Sequence, residues 1–365
     1  MIDQSRILQP GDTIGILGGG QLARMLALAA ATFGLKTHIY APDGDNPAFD
    51  VAAHCTTAAY DDADALARFA QAVQVVTYEF ENVPAATVAN LARHCPVRPS
   101  GHALATTQDR LIEKRFLRDL GLPTAPFAPV DALEDLKQAV EAIGRPSILK
   151  TRRFGYDGKG QIAIHQQDAL EAVHRDLNAP AILEGFVRFS REVSVVAARG
   201  TDGTFRAFDL CENHHSRHIL ATTVVPARVS PEIETEAAAM TQRIAEALDY
   251  VGVLAVEMFV VPGKDGVETL CVNEIAPRVH NSGHWTIDGA VTSQFAQHVR
   301  ATCGWPLGST QRFGTVHMQN LIGEEADGWQ ALMAAEGACV HLYGKAESRP
   351  GRKMGHVTTV TVPSR

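Results

Sequence analysis

Short apolar runs alternate with amphipathic, alanine-rich segments through the first hundred residues. The period-2 and period-3.6 patterns predict strands over Thr13–Leu17, Lys36–Tyr40, Val73–Tyr78 and Pro96–Arg98, and helices over Gln21–Phe33, Asp61–Ala72 and Pro84–His94. Regular alternation of this kind indicates a parallel sheet covered by helices.

The pattern changes after about residue 100. A charged helix is predicted over Asp109–Leu120, where Gly121 and Pro123 end it. Strands such as Ser147–Thr151, Ala181–Glu184 and Val193–Ala197 then mix with helices near 132–143 and 232–248. The last sixty residues read as strands at Thr315–Leu321, Cys339–Tyr343 and Val357–Val362 with a helix near 328–335. We therefore predict an α/β protein of three units: a Rossmann-like domain over 1–100, a mixed domain over 101–304 and a small β-rich domain over 305–365.

Composition narrows the function classes. The chain has 365 residues, of which 45% are hydrophobic and 20% charged, and its formal net charge is −8. An acidic balance argues against a general nucleic-acid binder, although a small anionic ligand needs only local positive charge. The six cysteines are scattered, which predicts reduced thiols and a cytoplasmic protein. We expect neither a signal peptide nor a membrane helix, because no apolar run approaches about 18 residues.

The first candidate site is a glycine turn between a strand and a helix. Gly18, Gly20 and Ala23 fit G-x-G-x-x-A, and Asp43 follows at the distance of a ribose-binding acid. Free N–H groups at the start of a helix attract an anion. An NAD-dependent dehydrogenase and a packing turn without ligand both remain open from this motif alone.

The middle of the chain favours a nucleoside triphosphate instead. Lys150 lies on an apolar strand, where its ammonium can face phosphate oxygens. The glycine-rich segment Gly155–Gln161 follows, and its N–H groups can close over phosphates, although it is not a Walker A loop. Taken alone, such a segment is equally typical of a hairpin turn.

Two acids in predicted strands offer a metal site. Glu257 lies in an apolar run, and a turn over 262–266 predicts a hairpin that brings it within about two positions of Asn273, the residue before Glu274. Carboxylates of this kind suit Mg²⁺, which leaves its other positions to phosphate and water. The strand over 181–187 and Glu192 could bind adenine and ribose, or could be an ordinary surface strand.

Two polar clusters remain. Arg349, Arg352 and Lys353 surround a Pro-Gly turn, which favours an anion such as a 5′-phosphate over a solvated basic loop. The stretch Cys211–His218 contains three histidines but fits no common zinc spacing, so His215 is better interpreted as a nucleotide contact.

Several longer motifs carry a family resemblance. Asp109–Ala125 resembles the opening helix of the ATP-grasp superfamily, and the lysine, glycine-loop, Glu and Asn-Glu elements follow in that order. Within it, the chain resembles the 5-(carboxyamino)imidazole ribonucleotide synthetases of purine biosynthesis. The matching segments are Gly18–Leu22, Thr77–Val83, Gly155–Gln161, Pro277–His284 and Arg349–His356. Phe154 departs from the family's pattern, in which glycine is common there.

The resemblance implies roles for particular residues of this chain. The implied ATP ligands are Arg110, Lys150, Gly155, Tyr156, Asp157, Gly158, Lys159, Gly160, Gln161, Glu184, Gly185, Phe186, Val187, Glu192, His215, Asn273 and Glu274. Glu257 and Glu274 would hold Mg²⁺. The ribonucleotide would contact Gln21, Leu22, Glu79, Asn281, Lys345, Arg352 and Lys353. Arg278, Asp157 and Lys150 are the implied catalytic residues.

The implied activity is carboxylation of aminoimidazole ribonucleotide with ATP and bicarbonate, through carboxyphosphate, by a homodimer. A formate-dependent glycinamide ribonucleotide transformylase is the nearest alternative, since it would share ATP and a ribonucleotide phosphate. A nucleotide-binding protein without turnover is the non-enzyme alternative, and the acid pair Glu257 and Glu274 argues against it.

Overall fold

The computed structural model describes residues 6–42, 44, 46–155, 158–263 and 265–362. Tyr156 and Asp157 of the glycine-rich segment, and Asp43, lie outside these described residues. The helices, in chain order, are α1 Gln21–Thr32, α2 Ala63–Gln71, α3 Ala85–Leu91, α4 Gly101–Thr107, α5 Arg110–Asp119, α6 Leu133–Ile143, α7 Leu170–Leu177, α8 Pro231–Ala247, α9 Thr286–Gly289, α10 Gln294–Thr302 and α11 Trp329–Ala334. The strands are β1 Thr13–Leu17, β2 Lys36–Ala41, β3 His54–Thr57, β4 Val75–Tyr78, β5 Phe127–Val130, β6 Ser147–Thr151, β7 Gln161–Ile164, β8 Ala181–Gly185, β9 Arg191–Arg199, β10 Phe205–Ala207, β11 Cys211–Ser216, β12 Ile219–Val225, β13 Gly252–Pro262, β14 Glu268–Ala276, β15 Thr315–Ile322, β16 Ala338–Leu342 and β17 Lys353–Thr361.

The N-terminal sheet is parallel, as its alternating pattern predicts. Its strand order is β3-β2-β1-β4, and the central strand β1 pairs with β2 and β4 on either side. All four residues Ile14, Ile16, Ile39 and Val75 are buried, because helices cover the strands of a parallel sheet. The short strand expected over Pro96–Arg98 is instead a single parallel bridge between Val97 and Val76. Only Val97 and Arg98 lie between Pro96 and Pro99, which leaves too few N–H donors for a longer ladder.

The central region contains a separate four-stranded antiparallel sheet of order β5-β8-β6-β7. Helices α6 and α7 pack on it around a core that includes Leu136, Leu149, Val173 and Leu183. This sheet carries Lys150 on β6 and Glu184 on β8, and the glycine-rich segment connects β6 to β7.

Helix α5 contacts both the small sheet, at β5, and the larger one, at β14. Asp109 caps its first turn by accepting hydrogen bonds from the Leu111 and Ile112 N–H groups, and its carboxylate also binds Arg152 beside β6. After the helix, Gly121 adopts a φ of +69°, a backbone conformation that favours glycine. The cap and the glycine explain why the predicted helix begins and ends where it does.

The C-terminal strands continue the large sheet. That sheet has nine strands, with the path β14-β13-β9-β11-β12-β15-β17-β16 and β10 paired to β9. The pairing of β12 with β15 joins the last sixty residues to the central region, with Thr223 opposite Met318. The sequence predicts these strands but not their partner, because strand pairing across about a hundred residues leaves no local signal. Among the described residues, no helix is long and apolar enough to cross a membrane.

Candidate active site

The glycine turn at the start of α1 binds a carboxylate of the protein itself. Glu79, which follows β4, accepts hydrogen bonds from the Gly20 N–H and from the Ala23 N–H, the latter at 2.9 Å. Burial raises the pKa of Glu79, while these two N–H groups and the charges of Arg278 and Lys345 act in the opposite direction. The N–H groups that the sequence offered to a ligand phosphate are therefore already paired in part. A β-carbon on Gly20 would lie 2.6 Å from Glu79 Oε1, so the close approach requires glycine.

Lys150 belongs to a buried cluster of charges. Its Nζ lies 2.9 Å from Glu184 Oε2, and the Nζ of Lys114 lies 3.7 Å from Glu184 Oε1. Although burial opposes ionisation, the two lysines hold the pKa of Glu184 at about 2. Glu184 thus positions Lys150, and the sequence indicated neither this pairing nor Lys114.

Two hydrogen bonds hold the glycine-rich segment, one to β6 and one to α5. The Thr151 N–H donates to the Gly160 carbonyl at 2.7 Å, and the Arg110 guanidinium donates to the Gly155 carbonyl at 3.4 Å. Phe154, next to the segment, adopts a φ of +64° and is 68% exposed. A bulky residue rarely adopts this backbone conformation, which explains why glycine would fit this position more easily.

The hairpin of β13 and β14 places the two predicted metal ligands side by side. Glu257 is directly opposite Glu274, and a register shift between Glu257 and Met258 leaves Asn273 as the extra residue of the bulge. Arg110 Nη1 donates to Glu274 Oε2 at 2.8 Å. The Asn273 Oδ1 atom is buried and has no hydrogen-bond partner among the described residues.

Histidines and a lysine surround Glu257. The His280 Nε2 atom lies 3.1 Å from Glu257 Oε1, and the His215 Nδ1 atom lies 3.0 Å from Glu192 Oε2. Burial disfavours the charged form of Glu257, but the hydrogen bond from His280 and the charges of His280, His215 and Lys353 bring its pKa down to about 2. The side chains expected at ATP and those expected at the second substrate therefore meet around Glu257.

Arg278 faces the same cleft from the segment after β14. Its guanidinium forms two hydrogen bonds with Glu81, one of them from Nη2 to Oε1 at 3.1 Å. The cleft is also lined by Arg110, Glu113 and Glu274. Burial, with a smaller contribution from Glu274, raises the pKa of Glu113 to about 8.

The remaining substrate candidates come from the loop between β16 and β17, from the start of β17 and from the 3-10 turn Asn281–Gly283. Lys345 Nζ donates to the Lys353 carbonyl at 2.6 Å, and Arg352 Nη1 donates to the Glu347 carbonyl at 2.8 Å. Asn281 exchanges amide hydrogen bonds with Asn320 at 2.9 and 2.8 Å. The charge of Lys345 acts on Glu79, whose carboxylate accepts hydrogen bonds from the Gly20 and Ala23 N–H groups on either side of Gln21 and Leu22.

The strand expected to offer a free backbone edge to adenine, β8, is instead an inner strand of the small sheet, paired with both β5 and β6. Gly185 donates its N–H to the Pro126 carbonyl at 2.8 Å, and the Phe186 side chain is half exposed. Val187 follows in the loop before β9.

Models of three protein families match consecutive parts of the chain. The ribonucleotide synthetase preATP-grasp domain matches residues 12–108, the ATP-grasp domain matches 115–295, and the phosphoribosylaminoimidazole carboxylase C-terminal domain matches 317–363. The N5-carboxyaminoimidazole ribonucleotide synthase of Brucella melitensis is 51% identical over 356 residues, with 97% of each chain covered. The chain belongs to the N5-carboxyaminoimidazole ribonucleotide synthetase family. Membership makes it an ADP-forming ligase of the ATP-grasp type and confirms the α/β fold of the resemblance.

Solved structures of this family superpose closely. An ADP complex of an N5-carboxyaminoimidazole ribonucleotide synthetase is 41% identical, with a TM-score of 0.93 and coverage of 98% of this chain and 94% of the other. The Aspergillus clavatus synthase in complex with ADP and 5-aminoimidazole ribonucleotide is 29% identical, with a TM-score of 0.89 and coverage of 97% and 95%.

The sequence missed four side chains that the structure places in the cleft or beneath it. Glu81 and His280 stood inside the family motifs, but their contacts with Arg278 and Glu257 were not predicted. Glu113 and Lys114 are both buried although they lie on a helix of charged residues. Their adjacent, opposite charges near the apolar face of α5 were the available signal.

Proposed function

We propose that the protein converts 5-aminoimidazole ribonucleotide to its N5-carboxylated product, with ATP and bicarbonate as co-substrates. The observation that supports this most directly is a single cleft lined by Arg110, Glu274, Arg278 and His280, in which Arg110 pairs with Glu274 and His280 pairs with Glu257. The solved structure of a relative with the same fold is in complex with ADP and 5-aminoimidazole ribonucleotide.

We assign ATP to the side of the cleft formed by the small antiparallel sheet. Lys150 would face phosphate oxygens, and the N–H groups of Gly155, Gly158, Lys159, Gly160 and Gln161 would close over them. The backbone of Gly185–Val187 would bind adenine. Glu192, which His215 holds in place, would accept hydrogen bonds from the ribose hydroxyl groups. Tyr156 and Asp157 are assigned to ATP by family resemblance alone.

The residues present fit a magnesium ion. Glu257 and Glu274 lie opposite each other, and Asn273 adds a buried amide oxygen without a partner among the described residues. An all-oxygen set is what this hard cation prefers. When bound, Mg²⁺ would offset the negative charge of the triphosphate.

We assign the ribonucleotide to the other side of the cleft. Lys345, Arg352 and Lys353 would hold its 5′-phosphate, because charge-assisted contacts suit this anion. Gln21, Leu22, Glu79 and Asn281 would orient ribose and base. With Glu79 already bound to the Gly20 and Ala23 N–H groups, the phosphate is better placed at the cationic C-terminal loop than at the glycine turn.

The chemistry consists of two transfers in one closed cleft. A bicarbonate oxygen attacks the γ-phosphorus of ATP, the bond to ADP breaks, and carboxyphosphate forms. The exocyclic amine then attacks its carbon, or carbon dioxide released from it, and phosphate leaves as the amine loses a proton. Arg278 would stabilise bicarbonate and carboxyphosphate, and Lys150 the charge on the phosphates. Asp157 is proposed near the amine.

We further propose domains over 1–100, 101–304 and 305–365 for substrate binding, the ATP-grasp and the C-terminal loop, respectively. We also expect a cytoplasmic homodimer, from the family resemblance and the scattered cysteines.

The test measures ADP release from Mg-ATP with 5-aminoimidazole ribonucleotide, with bicarbonate added or rigorously removed. We expect turnover only when both are present. Turnover with glycinamide ribonucleotide and formate instead would establish the alternative ligase. ATP binding without turnover on either pair would contradict both. The variant Arg278→Ala should lose carboxylation, whereas Arg312→Ala, which removes a partly exposed arginine paired with Asp209, serves as the control.

A further inference from the structure

A cluster of potential metal ligands lies outside the cleft. Asp288 of α9, His341 of β16 and His356 of β17 each place one ligand atom within 4.8 Å of the others. It is the one such group of three or more Asp, Glu, His or Cys residues within the described ranges. None of the three side chains has a role in the proposed reaction.

The arrangement leaves one buried nitrogen unsatisfied. The His341 Nε2 atom lies 2.9 Å from Asp288 Oδ2. His356 is directly opposite His341 in the sheet, and their rings stack 4.6 Å apart with 15° between planes. His356 Nδ1 pairs with the Tyr343 hydroxyl at 2.9 Å, whereas its Nε2 is fully buried and has no partner among the described residues. A buried polar atom without a partner is costly and calls for an explanation such as an ion.

A cysteine lies at the edge of this cluster. Cys339 precedes His341 by two residues on β16, so both side chains emerge on the same face of the sheet. Burial and the nearby Asp288 carboxylate raise the pKa of this thiol. Two imidazoles, a carboxylate and a thiol form a set that suits a borderline-soft ion and disfavours Mg²⁺.

We propose that Asp288, His341 and His356 bind one Zn²⁺ ion, with Cys339 as the fourth ligand. Zn–N bonds of about 2.0–2.1 Å in a tetrahedron place ligand atoms about 3.3 Å apart, so the stacked imidazoles must turn towards each other. This adjustment is accessible because the outer torsion of histidine is broad. Partial exposure of the His341 side chain, 31%, gives the ion a route of entry.

The ion would add a link between α9 and the paired strands β16 and β17. It would connect α9, which follows the 3-10 turn carrying Asn281, to strands β16 and β17 on either side of the loop over 343–352. A chain of hydrogen bonds leads from His356 to the Tyr343 hydroxyl, from there to His284 and then to Asn281, with lengths of 2.9, 3.0 and 3.1 Å. The site would therefore stabilise the wall of the cleft that carries the C-terminal cations.

The experiment titrates the full chain, freed of metal by a chelator, with Zn²⁺ in an excess of Mg²⁺. Calorimetry should give one zinc ion per chain. His341→Ala should weaken the binding by more than the roughly 10–100-fold typical of removing an outer partner. His317→Ala, an exposed histidine of the same sheet, is the matched control and should bind as the wild type does.

Thermal unfolding and cobalt spectra distinguish the proposal from binding elsewhere. Zinc should raise the Tm of wild type and of His317→Ala but not of His341→Ala. Co²⁺ should give a tetrahedral spectrum with a thiolate charge-transfer band that Cys339→Ser removes; its absence in the wild type would overturn the fourth ligand. No zinc binding, or equal binding by His341→Ala and wild type, would overturn the site. Equal binding in Glu257→Gln would support it, because that variant alters the acids of the cleft.

Discussion

Replacing Glu184 with glutamine tests the buried charge cluster beneath the proposed triphosphate site. The substitution keeps the shape of the side chain and removes its charge. Lys150 and Lys114 then remain buried without their carboxylate, at 8% and 1% exposure. We therefore expect Glu184→Gln to destabilise the folded state strongly.

The structure gives the size of the effect. The lysines hold the pKa of Glu184 at about 2, against its usual 4.5, although burial alone would raise it. At about 1.36 kcal/mol per pH unit, this difference corresponds to about 3 kcal/mol. Removing one partner of a buried ion pair costs a similar 3–5 kcal/mol or so. Because the folded pKa is lowered, this stabilisation is present above pH 4.5 and is lost as the pH falls towards 2.

Urea unfolding without nucleotide, followed by circular dichroism, measures the effect. We expect a lower midpoint with an unchanged slope. Glu171→Gln is the control, because Glu171 pairs with Lys137 at the surface and its loss should leave the midpoint unchanged. A free energy of unfolding for Glu184→Gln within about 0.5 kcal/mol of wild type would refute the reasoning.

Three further predictions concern the cleft. Burial raises the pKa of Glu113 to about 8. The stabilisation by its protonated form is therefore fully present below pH 4.5 and is lost as the pH rises through 8. Glu113→Gln should remove this part of the dependence of Tm on pH. Glu274→Gln should abolish ATP turnover and leave the circular dichroism spectrum unchanged, because it removes a proposed metal ligand. Arg352→Ala should raise the KM for the ribonucleotide about tenfold to a hundredfold, and that for ATP far less, since a charge-assisted contact contributes about 1.5–3 kcal/mol.

Each of these has an outcome that contradicts it. Parallel pH profiles of Glu113→Gln and wild type would mean that Glu113 does not titrate as inferred. Normal turnover of Glu274→Gln at saturating magnesium would contradict the assignment of Glu274 as a metal ligand. The control for this experiment is Glu268→Gln, which alters another acid of the same strand. Equal changes in both KM values for Arg352→Ala would count against phosphate binding, with the more exposed Arg349→Ala as its comparison.

Local patterns in the sequence were sufficient for most elements. The strand Thr13–Leu17 and the strand Ser147–Thr151 have the predicted bounds, and α5 begins one residue after its predicted start. The turn over 262–266 also predicted the hairpin and placed Glu257 within about two positions of Asn273, which the structure confirms, because a short connection leaves few alternatives. The bulge that places Glu274, rather than Asn273, opposite Glu257 was beyond this reasoning.

Family motifs identified candidate residues but not their partners. The sequence placed Glu79, Lys150 and Arg278 in the cleft, and only the structure pairs them with the Gly20 N–H, Glu184 and Glu81. These partners are 59, 34 and 197 residues away in the chain. Such contacts depend on how sheets and loops pack, which no local pattern records.

The sequence by itself determined the α/β class, the order of the elements and the family, because periodicity, turns and motifs are local properties of the chain. The tertiary structure decided that β15 pairs with β12, that Glu79 occupies the N–H groups of the glycine turn, and that Asp288, His341 and His356 meet. Each of these joins residues from distant segments. Their proximity follows from burying the apolar faces of the whole chain together, and it therefore becomes visible only in the folded molecule.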